Sequence, residues 1–266
     1  MKKYFSVFKI SFQDGFVYPV NFIMWRVRTV VQILIAYFLW DTVFLDPNRI
    51  VFGYDRARIM TYILGLIVIR SIVLSARSGE VAGELSRGDV TNYLTKPLNY
   101  LRYWFARDLA DKAMNILFGV VELTLIFLIL RPTFFWQTNP MYLMIFIGLV
   151  VLAVVVFFFL LFIFNSFTAW YPNQAWGAAF FLMIFVEFLG GGFFPVDVLP
   201  PLAQNIIYLT PFPYLLFYPL QVYLGKFSLA MSLRGLVIAF AWVIFLALVT
   251  KKMWKEAVKV YDVAGR

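Results

Sequence analysis

The sequence predicts an all-α integral membrane protein: six transmembrane helices, an N-terminal interfacial helix, a polar region on one side and a proline-rich hairpin region on the other. Three observations carry this. With 63% hydrophobic and 14% charged residues and a mean hydropathy of +0.83, the chain has too little polar surface to cover a soluble globule. Its apolar residues gather in blocks of roughly 17 to 25, the length a helix needs to cross about 30 Å of hydrocarbon. The blocks are continuous, as in "LVVLAVVVFFFLLFIF" from Leu149 to Phe164, whereas a membrane strand alternates apolar and polar over ~10 residues.

The first element is "MKKYFSVFKISFQDGF". Its basic start is followed by broken apolar runs and no small-residue cleavage site, so it is not expected to be a removed signal peptide. On a helix, Lys2, Ser6, Lys9 and Gln13 fall on one face and Tyr4, Phe5, Phe8 and Phe12 on the other, the pattern of a helix lying in the membrane interface over residues 1–17. The alternative is a disordered basic tail.

Six spanning segments follow, at about Asn21 to Phe44, Ile59 to Ser75, Ala113 to Leu130, Met141 to Phe164, Ala175 to Leu189 and Leu233 to Val249, the fifth being the shortest. An even number returns the C-terminus to the side of the N-terminus. That side holds Lys2, Lys3, Lys9, Arg26, Arg28, Arg77, Arg87, Lys96, Arg102, Arg107 and Lys112, with Lys251, Lys252, Lys255, Lys259 and Arg266; the other has only Arg49, Arg56, Arg58, Arg131, Lys226 and Arg234. The basic side is expected to be cytoplasmic. Topology therefore accounts for the net charge of +9 without nucleic acid. No repeat or linker divides the chain, so residues 1–266 read as one membrane domain.

Between the second and third segments lies a charged island, "GEVAGELSRGDVTNYLTKPLNY", from Gly79 to Tyr100. Gly79, Gly83 and Gly88 interrupt helix propensity, Asp89 is placed to cap a short helix over "VTNYLT", and Pro97 stops it. The island reads as short helix, break, short helix, then "LNYLRYWFARDLADK" feeding the third segment. Glu80, Glu84, Arg87, Asp89 and Lys96 alternate with Val81, Leu85, Val90, Tyr93 and Leu94. Such a face suits either a soluble partner or lipid headgroups.

After the fifth segment comes "LGGGFFPVDVLPPLAQNIIYLTPFPYLLFYPLQVYLG", Leu189 to Gly225. It is apolar enough to enter the membrane, yet its prolines forbid one continuous helix. Two short re-entrant helices following a turn at Gly190, Gly191, Gly192, Pro195 and Pro200 are expected across 190–232; a structured cap over helix ends is the alternative.

Charges inside the segments are few: Arg70, Glu122 and Glu187. Counted from the basic side, Arg70 and Glu122 fall at depths only a few ångströms apart, which predicts a pair between neighbouring helices, structural rather than a substrate or proton site. Glu187 is expected near the opposite surface, solvated or meeting Arg131 or Arg234. Phe157, Phe158, Phe159, Trp170, Tyr171 and Trp176 read as lipid-facing or interface aromatics before they read as a substrate path.

The chain has no cysteine and no histidine, which removes thiol nucleophiles, Cys and His metal ligands and the commonest general base. Neither an ion-coupled secondary transporter nor a membrane-embedded lipid-modifying enzyme is favoured: the helix breaks cluster at one edge, and no two carboxylates share a span or motif.

The stretch "GELSRGDVTNYLTKPL" (Gly83 to Leu98) after the second segment and the turn "GGFFPVDVLP" (Gly191 to Pro200) before the last make the sequence resemble a permease of the ABC-2 family, the type V exporter-like membrane subunit of ATP-binding-cassette exporters. The Gly-x-Leu followed by Leu-x-Lys-Pro is similar to a bacterial subgroup whose permeases are often encoded in pairs beside one ATPase. The resemblance implies a permease of the bacterial or archaeal plasma membrane, itself not an enzyme, working by alternating access with a second permease, identical or related. Residues 76–112 would be the cytoplasmic coupling region, in which Glu80, Glu84, Leu85, Arg87, Gly88, Asp89, Val90, Tyr93, Leu94, Lys96 and Pro97 meet a separate ABC ATPase. ATP and magnesium would belong to that ATPase, since no GxxxxGK[ST] loop occurs here.

Overall fold

The computed structural model describes residues 2–17, 19–44, 46, 50–51 and 53–263. Arg49, Arg266, part of the 46–57 loop and the side chain of Leu94 lie outside the described residues. Eleven α-helices follow in order: α1 Lys2–Asp14, α2 Pro19–Val43, α3 Arg56–Val73, α4 Val81–Arg87, α5 Thr91–Leu94, α6 Tyr100–Leu130, α7 Pro140–Ser166, α8 Ala175–Leu189, α9 Pro201–Tyr208, α10 Phe217–Tyr223 and α11 Leu229–Val263. No strand occurs among the described residues.

Side-chain caps start three of the long helices where the sequence turns polar. Asp55 accepts from the Arg58 N–H at 2.7 Å to open α3, Asn99 from Arg102 N–H at 3.0 Å to open α6, and Asn139 from Met141 N–H at 2.9 Å ahead of Pro140 in α7; each satisfies an N–H that the first helical turn leaves without a partner. Between caps, continuous Leu, Val, Ile and Phe leave the backbone no better option in lipid than its own i to i−4 bonds.

All six predicted segments are helical. Four helices are long and apolar enough to cross a membrane, namely α2 from Phe22, α6, α7 and α11; α3, which carries Arg56, Arg58 and Arg70, adds a fifth when joined to the Arg77–Arg87 segment across a 53° bend. At 15 residues, α8 extends about 22 Å, short of the ~30 Å hydrocarbon core.

The core is organised on α7. More than half of its most apolar stretch is buried, 56% against 6% for α2, and α3, α4, α8, α10 and α11 all pack on it. Leu149, Ala153, Val156, Phe157 and Phe162 of α7 are fully buried. Phe157 and Phe158, read from sequence as lipid-facing, thus belong to the core, while Tyr171 and Trp176 are exposed as expected. Helix α2 stands off the bundle: Met24, Val27, Val31, Ile35 and Phe38 are exposed along one side.

Residues 2–14 form a helix, and α1 lies along α6. Tyr4, Val7, Phe8, Ser11 and Phe12 turn inward at helical spacing while Phe5 stays 70% exposed, so the apolar face is rotated from the one the sequence pattern predicts. Phe12, Phe16, Phe118 and Phe22 form a chain of ring contacts, 5.7, 6.2 and 4.8 Å between successive centroids, joining α1 to α6 and α2.

Beyond α8 the chain makes a hairpin. From Gly190–Gly192 it runs to Asp197 beside Tyr54, turns back through α9, reaches a tip at Phe212–Tyr214, and leaves through α10. The tip returns to the level of the glycine turn: Phe217 N–H donates to the Gly190 carbonyl at 3.1 Å, and Phe212 stacks on Phe185 of α8 at 5.8 Å. At the far end Tyr54 Oη donates to Asp197 at 2.9 Å, Lys226 Nζ pairs with the same carboxylate at 2.8 Å, and Gln221 Nε2 donates to Tyr54 Oη at 2.5 Å. Burial, then the Asp197 charge, pushes the Tyr54 hydroxyl's pKa up, so it stays a neutral donor to Asp197.

Candidate functional site

The island is a helix, a left-handed break and a second helical turn. A 3-10 turn at Arg77–Glu80 leads into α4; Gly88 (φ +88°) closes α4, with Asp89 N–H bonded to the Glu84 carbonyl at 2.9 Å, and α5 follows. A left-handed residue at that position is adopted by glycine at no steric cost. Asp89 does not cap α5 as the sequence pattern suggests. Its carboxylate takes the Arg87 Nε at 2.8 Å instead, and Thr91 Oγ1 bonds back to the Gly88 carbonyl at 3.0 Å.

The island has an inside and an outside, and the division corrects the expected docking face. Val81, Leu85 and Val90 are buried together with Trp104, Phe158 and Phe162. Glu84 is buried too: Tyr100 Oη donates to its Oε2 at 2.5 Å. Burial, then Tyr103 and the Glu84 carboxylate, pushes the Tyr93 hydroxyl's pKa up, keeping it protonated beside that charge. Tyr100 in turn stacks flat on Trp254 of α11 at 4.6 Å. Glu84, Leu85 and Val90 therefore serve the fold. Arg87, Thr91, Asn92, Thr95 and Lys96 are exposed, and Asp89 half so; Glu80 keeps a largely exposed carboxylate 3.6 Å from Arg107. Pro97 is exposed but its carbonyl accepts from Lys3 Nζ at 2.5 Å, and Asn99 N–H donates to Tyr4 Oη at 3.0 Å. Helix α1 thus holds the island's far end.

Behind the island, one face of α6 fixes the bend between α3 and α4. Asp108, fully buried, accepts from Ser78 N–H and Oγ, each at 2.7 Å; Asn165 of α7 donates to the Ser78 carbonyl at 2.9 Å. Lys112 Nζ donates to the carbonyls of Val73, at 3.3 Å, and Ser75, the first at the end of α3, where carbonyls lack helical partners, and the second just past its cap. Arg77 meets Asp111 at 3.5 Å. Sequence reasoning did not single out this group, although Arg107, Asp108, Asp111 and Lys112 recur at i, i+1, i+4, i+5 and so share one helical face. The buried Asn165 carries no such signal.

The predicted Arg70–Glu122 pair is not formed. Arg70 Nη2 lies 2.6 Å from Glu187 and donates to the Gly192 carbonyl at 3.2 Å; Glu122 lies 3.5 Å from Arg26, which also donates to Asn115. The reason is the short reach of α8. Tyr62 Oη donates to the Gly191 carbonyl at 2.9 Å, so the glycine turn sits between the levels of Tyr62 and Arg70, near the middle of α3. Glu187 accordingly meets neither Arg131 nor Arg234 and is no surface carboxylate. Gly191 (φ +81°) is required there, because a Cβ would sit 2.8 Å from Phe217 Cβ and 3.0 Å from Tyr62 Oη. Pro195 and Pro200 lie on the strand of chain leaving this turn, ahead of α9.

Between α2 and the rest of the bundle is a cleft of about 1360 Å³, bounded by α1, α2, α3 and α6 with Met183 and Phe193. No group of His, Cys, Asp or Glu suited to a metal ion occurs among the described residues.

A family model described as ABC-2 family transporter protein matches residues 30–265. A comparison with curated proteins returns no match.

Proposed function

The chain belongs to the ABC-2 transporter family, and from that premise we propose that it is the permease of an exporter driven by separate ABC ATPase subunits. As a family member it is a membrane transport subunit rather than an enzyme. In the proposed assembly two permeases, two copies of this chain or this chain and a relative, face each other in the plasma membrane, with both termini and the island in the cytoplasm. The basic residues concentrated at that end support the orientation. Six crossings result if α8 and the hairpin of α9 and α10 together complete the fifth.

The observation that carries the reading is the two-sided island: an exposed polar strip on a buried support that reaches three long helices. Arg87, Asp89, Asn92 and Lys96 meet the ATPase. Closure of the two ATPases on ATP pushes the strip. Glu84–Tyr100–Trp254 and Ser78–Asp108 deny the island independent movement, so the push tilts α6, α7 and α11 and switches a cavity between the permeases from inward to outward access. ATP and magnesium stay with the ATPase, whose phosphate-binding loop this sequence lacks.

The test is purification of the tagged chain from its native membrane in mild detergent. An ATP-hydrolysing partner with a phosphate-binding loop is expected to co-purify, and reconstituted vesicles are expected to move substrate only with ATP. A chain that purifies without any ATPase and transports along an ion gradient would overturn the reading.

A further inference from the structure

The cleft beside α2 has a polarity gradient that runs the same way on both of its walls. Along the α2 wall, Arg26, Arg28, Thr29 and Gln32 lie toward α1, and Ile35, Leu39 and Trp40 away from it. Helix α3 runs antiparallel and repeats the order: Ile63 and Ile67 oppose the apolar end, Arg70 and Ser71 the polar one, where Arg77 of the following 3-10 turn joins them. A groove polar at both ends would suit a soluble solute; this one matches an amphiphile lying parallel to the helices. Its volume of about 1360 Å³ exceeds the ~300–1000 Å³ of typical small-molecule sites.

The polar end asks for an anion. The lining has five guanidinium groups, of Arg26, Arg28, Arg70, Arg77 and Arg107, and three carboxylates, of Asp14, Glu80 and Asp111; Glu122 and Glu187, outside the lining, pair with Arg26 and Arg70. Each guanidinium carries five N–H donors, and their partners use few of them. Arg77 meets Asp111 only through Nε at 3.5 Å, and Arg107 meets Glu80 at 3.6 Å. Arg28 stacks on Trp25 at 4.9 Å and, among the described residues, has no carboxylate partner. A phosphate diester supplies acceptors for the unused N–H groups of Arg77 and Arg107 and a counter-charge for Arg28.

We infer that the cleft between α2, α3 and α6 binds one anionic phospholipid, its phosphate among the arginines at the α1 end and its chains between α2 and α3. On the orientation proposed above, this is a lipid of the cytoplasmic leaflet. The binding itself requires neither that orientation nor an ATPase, so it stands or falls separately from the transport reading.

The test is native mass spectrometry of the full chain in detergent, titrated with phosphatidylglycerol or with phosphatidylcholine of the same acyl chains. Phosphatidylglycerol is expected to saturate at one molecule per chain and to bind more tightly than phosphatidylcholine. Arg28→Gln should weaken it about tenfold, the size of one charge-assisted hydrogen bond. Ala36→Trp, which fills the apolar half and leaves every arginine in place, should abolish the one-to-one adduct while the protein stays monodisperse. Equal binding of the two lipids, or adducts indifferent to both variants, would mean annular lipid only and overturn the inference. So would a lipid-free dimer that Ala36→Trp splits, because a second copy would then fill the cleft.

Discussion

Arg70 and Glu187 meet at 2.6 Å although 117 residues separate them, and they meet because α8 ends beside the middle of α3. The pair ties the last turn of α8 to α3 at the point where the chain reverses. The arginine side chain is 36% exposed, so the pair's contribution lies below that of a fully buried pair, at about 1–2 kcal/mol. Glu187→Gln should lower the thermal midpoint in detergent, and Arg70→Gln with Glu187→Gln should be less harmful than the two effects summed. Arg70→Gln with Glu122→Gln should be additive, since those residues do not touch.

Asp108 is the acceptor on which the α3–α4 bend depends. Asp108→Ala strands the Ser78 N–H and removes the counter-charge near buried Lys112, a loss of about 3–5 kcal/mol. Asp108→Asn keeps one acceptor and should cost less than the alanine. Thermal unfolding by intrinsic tryptophan fluorescence checks the order; alanine and asparagine variants of equal stability would contradict it.

Charge changes on the island should divide by face. Asp89→Lys, on the exposed strip, is expected to leave the midpoint unchanged and to weaken ATPase association or uncouple hydrolysis from transport, because reversing a docked charge costs up to several kcal/mol. Glu84→Gln should instead lower stability by about 1–2 kcal/mol through the weakened bond to Tyr100. Wild-type association and coupling in the Asp89→Lys protein would remove the strip from the interface.

Orientation is open to single-cysteine labelling, since the chain has no native thiol. Asn92→Cys should react with a membrane-impermeant maleimide only after the cytoplasmic face is opened, and Ile50→Cys, 71% exposed, in intact cells. Labelling of Asn92→Cys from outside would invert the topology.

The apolar runs are legible as helices because hydropathy reports directly on them, and four of the six are long and apolar enough to cross a membrane. The island's helix–break–helix form was legible from Gly88 and Pro97. Its facing was not. Glu84 reads as a solvated charge until Tyr100, sixteen residues on, is known to lie against it. The ion pairs differ from expectation for a related reason: counting residues from one membrane face assumes that every apolar run is long enough to cross, and α8, at 15 residues, is not. Nothing local to Glu187 states that its helix stops opposite Tyr62 and Arg70.

Helix α6 runs unbroken for 31 residues, about 46 Å, and the bend is fastened to it through Asp108 and Lys112, roughly a third of the way along. That makes it an unequal lever. About 15 Å separates the fastening from Tyr100 under the island, and about 30 Å from Leu130 at the far end. A rigid rotation about the fastening moves the Leu130 end roughly twice as far as the island, in the opposite direction. In the proposed mechanism a small stroke at the Tyr100 end would become a larger one at the Leu130 end, and spin-label distances taken at the two ends of α6 would read the ratio.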